Sequence, residues 1–272
     1  MLAVRALTAA ALLAVFVAAA LFLDRTVFSI LVGLIVALAA REWAALAGLG
    51  GVHRDAYAAG CTLLYAGIAW WSWPVAASAA PTREILIVAF IFWGAAVPLW
   101  LARAASAHSR RWMPPAGVAV LLPAALATIA LPRTLLLAVL GLVWTADTAA
   151  YLAGRSFGRH RLAPVLSPGK TWEGVAGALV ASVAYAVILA VMMPRDGAPV
   201  GDLRWLAYSA SALLLCGAGV LGDLFESAVK RQAGVKDSGR LLPGHGGVLD
   251  RIDSATAVLP LGALLFVWFE AA

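Results

Sequence analysis

The chain has 272 residues, of which 63% are hydrophobic and only 12% are charged, and its mean hydropathy is +0.92. Soluble globular domains carry about 25% charged residues, so this composition excludes an ordinary soluble domain and indicates a protein of the lipid bilayer. The net charge of +6 does not indicate nucleic acid binding, because the basic residues lie between hydrophobic runs. The two cysteines are far apart in apolar stretches, which excludes a disulfide framework.

Apolar runs of about 20 residues are long enough for a helix to cross a bilayer. The first run predicts a retained anchor, since it is longer than the apolar part of a signal peptide and more runs follow at once. The run at 116–131 is the weakest, because it is short and contains Pro123. We therefore predict an all-α, polytopic integral membrane protein with about nine transmembrane helices. The nine candidates are Ala6–Leu23, Val27–Leu49, Tyr57–Trp73, Glu84–Leu101, Ala116–Leu131, Thr134–Ala153, Val175–Met193, Leu203–Gly222 and Ser254–Phe269.

The basic residues predict an orientation in the membrane. With the N-terminus in the cytoplasm, 15 Lys and Arg residues fall on the cytoplasmic side and 5 on the far side. The positive-inside rule therefore places the N-terminus inside and the C-terminus outside, as expected in a bacterial cytoplasmic (inner) membrane. Eleven tryptophans, Trp70 and Trp71 among them, are typical of an interfacial belt.

Two connections between predicted spans are long enough to carry chemistry, residues 154–174 and 223–253. Both are predicted to face the cytoplasm, where nucleotides are found. We therefore divide the chain into N-terminal transmembrane helices, residues 1–110, and a C-terminal catalytic region, residues 111–272.

The stretch that closes the eighth predicted span carries four polar side chains at helical spacing. Asp223, Glu226, Ser227 and Lys230 stand at i, i+3, i+4 and i+7, so they share one face of a helix. An amphipathic exit helix with an ordinary Glu226–Lys230 ion pair has the same pattern. The pattern alone therefore leaves a structural and a functional interpretation open.

A glycine-rich segment follows this helix. Gly244, Gly246 and Gly247 permit positive φ angles and let backbone N–H groups approach an anion. Asp250 and Asp253 then stand about one helical turn apart at the start of the last span. Carboxylates with few histidines suit a hard cation such as Mg²⁺, which commonly binds substrate phosphates, whereas zinc sites need Cys and His clusters.

The first connection contains the string Gly169-Lys170-Thr171, which resembles the end of a phosphate-binding P-loop. The upstream glycine of that motif would fall at Pro164, and no strand precedes it, so the P-loop is excluded. A Lys and a hydroxyl placed near phosphates remain plausible without that fold.

Two further residues are candidates for function. Asp147 lies inside a predicted span, where an ionisable side chain usually faces a polar cavity and marks a functional site; a salt bridge to Arg155 is the structural alternative. His245 stands in the glycine-rich segment, where a structural role, a substrate-orienting role and a role as general base are all open. A phosphate monoester is largely dianionic near pH 7, so little deprotonation is needed.

Together these residues form motifs that resemble the signature of the phosphatidate cytidylyltransferases, or CDP-diacylglycerol synthases. The resemblance covers Asp147–Asp253, and Gly169 stands where many members carry Lys. The matching strings are Asp147-Thr148-x-Ala150-Tyr151-x-x-Gly154-Arg155-x-Phe157-Gly158, Ser167-Pro168-Gly169-Lys170-Thr171-x-Glu173-Gly174 and Ser227-x-Val229-Lys230-Arg231-(x4)-Lys236-Asp237-x-Gly239-(x2)-Leu242-Pro243-x-His245-Gly246-Gly247-Val248-x-Asp250-Arg251-Ile252-Asp253.

The resemblance implies a nine-span α-helical fold, a requirement for Mg²⁺ and association into a homodimer. It also implies that Asp223 and Asp250 ligate the metal centre, with a second cation left open. The implied reaction transfers CMP from CTP to phosphatidic acid in the bilayer, giving CDP-diacylglycerol and pyrophosphate.

On this interpretation the candidate residues fall into two groups. The catalytic group comprises Asp223, Asp250, Lys230, Lys236 and Asp253. The substrate-binding group comprises Asp147, Lys170, Thr171, Glu226, Ser227, Arg231, Gly244, His245, Gly246, Gly247 and Arg251.

Two alternatives remain at this point. A CTP-dependent polyprenol or phytol kinase is another membrane enzyme that uses CTP, but it would transfer the γ-phosphoryl group to an alcohol. A transporter is disfavoured, because transporters place charged sites near the membrane midplane, whereas the charges here concentrate in the connections.

Overall fold

The computed structural model describes residues 2–103, 110–192, 202–241, 244 and 246–271, with side chains for all of these except residues 2–9, 12, 202–204 and 271. Helices dominate it, and one short antiparallel hairpin interrupts them. In chain order the elements are α1 Leu2–Phe22, α2 Arg25–Leu46, α3 Gly51–Trp71, α4 Thr82–Ile91, a π-helical turn Phe92–Ala96, α5 Val97–Arg103, α6 Met113–Ala130, α7 Arg133–Phe157, β1 Arg161–Ala163, β2 Ser167–Thr171, α8 Trp172–Met192, α9 Asp202–Gln232 and α10 Leu249–Ala271.

Seven helices in the described part of the chain are long and apolar enough to cross a membrane, which confirms a polytopic membrane protein. One of them is formed by α4, the π-helical turn and α5, which together make a continuous helix. The other six are α2 and α6 to α10. The other two predicted spans coincide with α1 and α3. The apolar part of α1 with described side chains is the short segment Leu13–Phe22, and α3 begins with His53, Arg54 and Asp55. For these two helices, membrane crossing stays a prediction.

Both predicted connections are shorter in the structure than in the sequence interpretation. α9 continues unbroken through Gln232, and α10 begins at Leu249, so the polar face of residues 223–230 is helical as predicted. In the first connection, β1 and β2 form a hairpin that the all-α prediction did not contain. The candidate site residues therefore lie mostly on helix ends and on a hairpin, rather than on long loops.

The helix that looked weakest as a span lies at the centre of the bundle. In α6, 72% of the residues are buried, the highest share among the seven candidate spans, and the helix packs against α2 and α10. Its Pro123 lies inside the helix and is itself buried. The buried core is continuous from α2 to α10, across the predicted division at residues 110 and 111.

An aromatic cluster holds α9 against the N-terminal helices. The ring of Phe225, which is 2% exposed, has five aromatic rings with centroids between 5.4 and 6.1 Å from its own. Trp70 and Trp71 are exposed, as an interfacial belt requires, but this interpretation is wrong for Trp43 and Trp93, which are 1% exposed. The five rings around Phe225 are those of Trp43, Phe92, Trp93, Trp100 and Trp112.

Replacing Phe225 with Ala should destabilise the protein strongly. Deletion of a buried Phe side chain costs about 3–5 kcal/mol, because apolar burial is lost and a cavity remains. We expect a clear fall in the melting temperature of the detergent-solubilised variant. Trp268→Ala is the control, since Trp268 is 73% exposed and should melt near the wild-type temperature. Equal melting temperatures for the two variants would contradict this role of the cluster.

Candidate active site

Close packing of α9 on α10 brings their acidic residues together. A Cβ atom on Gly222 would lie 2.7 Å from the carbonyl oxygen of Asp253 and 3.2 Å from the Cβ of Ala257. A larger residue at this position would therefore push the helices apart. The glycine allows Asp223 of α9 to lie near Asp253 of α10.

A buried lysine joins the two helices. Lys230 Nζ lies 2.9 Å from Glu226 Oε2 on its own helix and 2.6 Å from Asp250 Oδ1 on α10. All three side chains are at most 12% exposed. One ammonium group thus compensates part of the charge of two buried carboxylates, and it fixes the position of α10 relative to α9.

Asp250 also organises the loop between α9 and α10. Its Oδ2 atom accepts hydrogen bonds from the backbone N–H and hydroxyl of Ser238, both at 2.9 Å, and from Gly247 N at 2.8 Å. Gly244 and Gly246 adopt φ angles of 74° and 80°, as the sequence predicted, whereas Gly247 does not adopt a positive φ angle. The carboxylate of Asp250 is thus one of the protein's own anions that this glycine backbone approaches.

The hairpin brings Lys170 into the same region. Lys170 at the end of β2 forms an ion pair with Asp223. Glu173, in the first turn of α8, accepts hydrogen bonds from the backbone N and Nδ1 of His160 before β1, which ties the two ends of the hairpin together. Thr171 Oγ1 accepts a hydrogen bond from Gly174 N and so caps α8, while its predicted substrate contact stays a prediction.

Asp147 completes an acidic cluster. It lies close enough to Asp223, Asp253 and Lys170 to interact electrostatically with each, whereas Arg155 donates instead to the hydroxyl of Tyr151. The salt bridge considered as the structural alternative for Asp147 is therefore wrong.

Glu226 contributes an unused oxygen to this cluster. It interacts electrostatically with Asp223 and Asp250, and it is 4% exposed. Within the part of the chain that the structure describes, its buried Oε1 atom has no hydrogen-bond donor. Among the same residues, no three His, Cys, Asp or Glu side chains form a ready metal-binding group.

A cavity of about 460 Å³ opens beside the cluster. Apolar side chains of α1, α2, α6, α7 and α10 form most of its wall, among them Phe16 and Leu259. Asp147, Arg251 and Asp253 add charged groups, the last two from the first turns of α10. The cavity therefore combines a mostly apolar wall with three charged side chains.

The remaining candidate residues have different surroundings. Ser227 Oγ lies 3.4 Å from Asp223 Oδ1, and the Arg231 guanidinium donates to the carbonyl oxygens of Leu166 and Val235, so it links the hairpin to the end of α9. Lys236 is exposed on the loop. His245 lies outside the described residues.

The sequence interpretation missed Glu42, which reaches the same loop from α2. A signal was present, because Glu42 is an ionisable residue inside a predicted span, the feature that drew attention to Asp147. The motifs did not include Glu42, because all of them lie in the C-terminal half of the chain.

Comparison with known proteins places these residues in a family. The model of the cytidylyltransferase family matches residues 3–269. The phosphatidate cytidylyltransferase of Pseudomonas aeruginosa is 42% identical over 274 residues, which cover 97% of each chain. The enzyme of the same name from Haemophilus influenzae is 50% identical over 126 residues, 46% of this chain and 43% of the relative. This chain therefore belongs to the cytidylyltransferase family, as its motifs predicted.

Proposed function

We propose that this chain transfers CMP from CTP to phosphatidic acid, giving CDP-diacylglycerol and pyrophosphate. The observation that carries this proposal is the mostly apolar cavity, whose lining residues Asp147 and Asp253 also belong to the cluster of carboxylates and lysines. A lipid phosphate needs an apolar space for its chains and a polar space for its headgroup, and this cavity offers both. Its volume is within the range of small-molecule sites. The kinase and transporter alternatives gain no support from the relatives compared.

The reaction needs a way to bring anions together rather than a strong base. A phosphatidate oxygen forms a bond to the α-phosphorus of CTP, and the bond from that phosphorus to pyrophosphate breaks. Because the attacking phosphate is already largely dianionic near pH 7, no proton must be removed first. Lys170, Lys230 and Arg251 are the cations that reduce the repulsion.

The excess of carboxylates favours a bound cation. Among the residues that the structure describes, five carboxylates and three basic side chains belong to the cluster or to the cavity wall, which leaves two negative charges uncompensated when all are ionised. The unused oxygen of Glu226 fits the same conclusion. The carboxylates are those of Asp147, Asp223, Glu226, Asp250 and Asp253.

Mg²⁺ suits this set of oxygen donors. It binds through one or two carboxylates together with substrate phosphates and water, so a complete protein cage is not required. Asp223 and Asp250 would hold it, and Asp250 Oδ1 retains a lone pair, because among the described residues only Lys230 donates a hydrogen bond to it. Bound Mg²⁺ would neutralise charge on the CTP phosphates and on the leaving pyrophosphate.

The basic residues support an orientation with the N-terminus and the site in the cytoplasm and the C-terminus outside. The inner leaflet would then supply the lipid and the cytoplasm the CTP. Association into a homodimer and a second cation stay predictions from the family resemblance.

The product identifies the reaction directly. Purified protein incubated with CTP, Mg²⁺ and phosphatidic acid should yield a lipid heavier by one CMP unit, together with pyrophosphate. A lipid alcohol offered instead should remain unchanged. Mass spectrometry of the lipid fraction makes the measurement, and phosphorylation of the alcohol without CMP transfer would support the kinase.

Asp223→Asn and Asp250→Asn should each reduce turnover by about 10²-fold or more, because a hard cation loses a charged oxygen ligand. The double variant should be scarcely worse than either single one, since residues that act as a unit are non-additive. CDP-diacylglycerol formation across a Mg²⁺ titration makes the measurement. Asp55→Asn is the control, because Asp55 is exposed on α3. Near-wild-type turnover of either single variant would refute the metal assignment.

Lys170 and Lys230 should respond differently to the same substitution. Lys230→Met leaves two buried carboxylates without their cation, so it should destabilise the protein by about 3–5 kcal/mol. Lys170→Met removes a more accessible ion pair, so stability should change by less than about 1 kcal/mol while kcat falls or the KM for CTP rises. Melting temperature and steady-state kinetics separate the two effects. Unchanged kinetics for Lys170→Met would assign the hairpin a structural role.

A further inference from the structure

Glu42 contacts residues that are far from it in the sequence. Its Oε1 atom accepts a hydrogen bond from Val248 N at 2.9 Å. Its Oε2 atom accepts from Leu249 N at 2.9 Å and from the hydroxyl of Ser238 at 3.0 Å. A side chain on α2 thus holds the loop and the start of α10, which follow it by about 200 residues.

These contacts suit a carboxylate in particular. The first N–H groups of a helix have no partner inside the helix, and the positive end of the helix dipole favours a negative charge there. The loop also folds closely around Glu42, because a Cβ atom on Gly239 or Gly247 would collide with its carboxylate. Glu42 therefore lies against the start of α10 and against the loop at Gly239 and Gly247.

The hydroxyl of Ser238 connects Glu42 to the proposed metal ligand. Ser238 Oγ lies 3.0 Å from Glu42 Oε2 and 2.9 Å from Asp250 Oδ2. A serine hydroxyl has one proton, so the two carboxylates share it. Gly247, whose backbone N–H donates to Asp250, also packs closely against the carboxylate of Glu42. Two of the residues that donate to Asp250, Ser238 and Gly247, are therefore also in contact with Glu42.

We infer that Glu42 is a positioning residue, which holds the glycine-rich loop and the first turn of α10 and thereby orients Asp250 in the active site. This inference rests on the proposed role of Asp250. Glu42 is not among the motif residues, and it contacts the site through Ser238 and the backbone of α10. Its contribution ties the N-terminal helices to the chemistry of the C-terminal half.

Glu42→Gln is the test, because it keeps the size of the side chain and removes one acceptor. In either orientation, the amide NH₂ group faces one of the two backbone N–H donors, Val248 or Leu249. We expect kcat/KM for CTP to fall about 10- to 100-fold, with a raised KM for CTP and an unchanged KM for phosphatidic acid. A variant that only folds less well would lose kcat and keep both KM values.

Limited trypsin digestion measures how accessible the loop between α9 and α10 is to cleavage, independently of enzyme activity. Lys236 and Arg240 are exposed on either side of the buried Ser238, so cleavage there should become several-fold faster in Glu42→Gln. Cleavage at Arg159 and Arg161, exposed near the hairpin, should keep its wild-type rate and serves as the internal reference. Glu84→Gln is the matched control, since Glu84 is exposed and paired with the neighbouring Arg83.

Each result decides the inference. Wild-type loop cleavage with wild-type KM for CTP would overturn it, and so would equal acceleration of cleavage at all four sites, which indicates general unfolding. An effect of Glu42→Gln that disappears in the Ser238→Ala background supports coupling through the shared hydroxyl, whereas fully additive effects contradict it. If Asp250→Asn retains activity, the proposed role of Asp250 fails, while the digestion result still reports whether Glu42 holds the loop.

Discussion

The shared ion pair of Lys230 with Glu226 and Asp250 is the interaction on which the arrangement of the site depends. Carboxylates as buried as these are costly unless a cation and hydrogen bonds compensate them. The ammonium group of Lys230 pairs with Glu226 on α9 and with Asp250 on α10. Both carboxylates are therefore compensated only when the two helices are in contact. Gly222 makes that contact sterically possible.

Apolar packing then fixes the position of α9, and with it the position of this ion pair. Phe225 lies between Asp223 and Glu226 in the sequence, and its ring is enclosed by aromatic side chains from the N-terminal helices and the segment before α6. Because closely packed interiors tolerate little displacement, α9 cannot slide without disturbing this cluster. The acidic residues that flank Phe225 are thereby held toward α10, the hairpin and the cavity.

The neighbourhood of the site combines two environments that a water-soluble enzyme rarely needs together. Apolar side chains such as Phe16 and Leu259 line the cavity, yet two carboxylates, Asp147 and Asp253, line it as well. A lipid with a phosphate headgroup requires both environments within the length of one molecule. The position of α10 explains how the chain provides them, since its first turns carry Arg251 and Asp253 and its later turns are apolar.

The sequence by itself determined the class of the protein, most of its helices and most of the residues around the site. Composition excludes a water-soluble fold, apolar runs define helices, and the spacing of Asp223, Glu226 and Lys230 places them on one helical face. Each of these features is local, so it can be seen in a single segment.

The tertiary structure decided which of these residues meet and what each one contacts. Glu42 and Ser238 are 196 residues apart, and the tryptophans that surround Phe225 come from three segments. The loop glycines likewise enclose a carboxylate of the protein, which their sequence could not distinguish from a phosphate. Contacts between distant segments depend on how helices pack, and no local pattern records that packing.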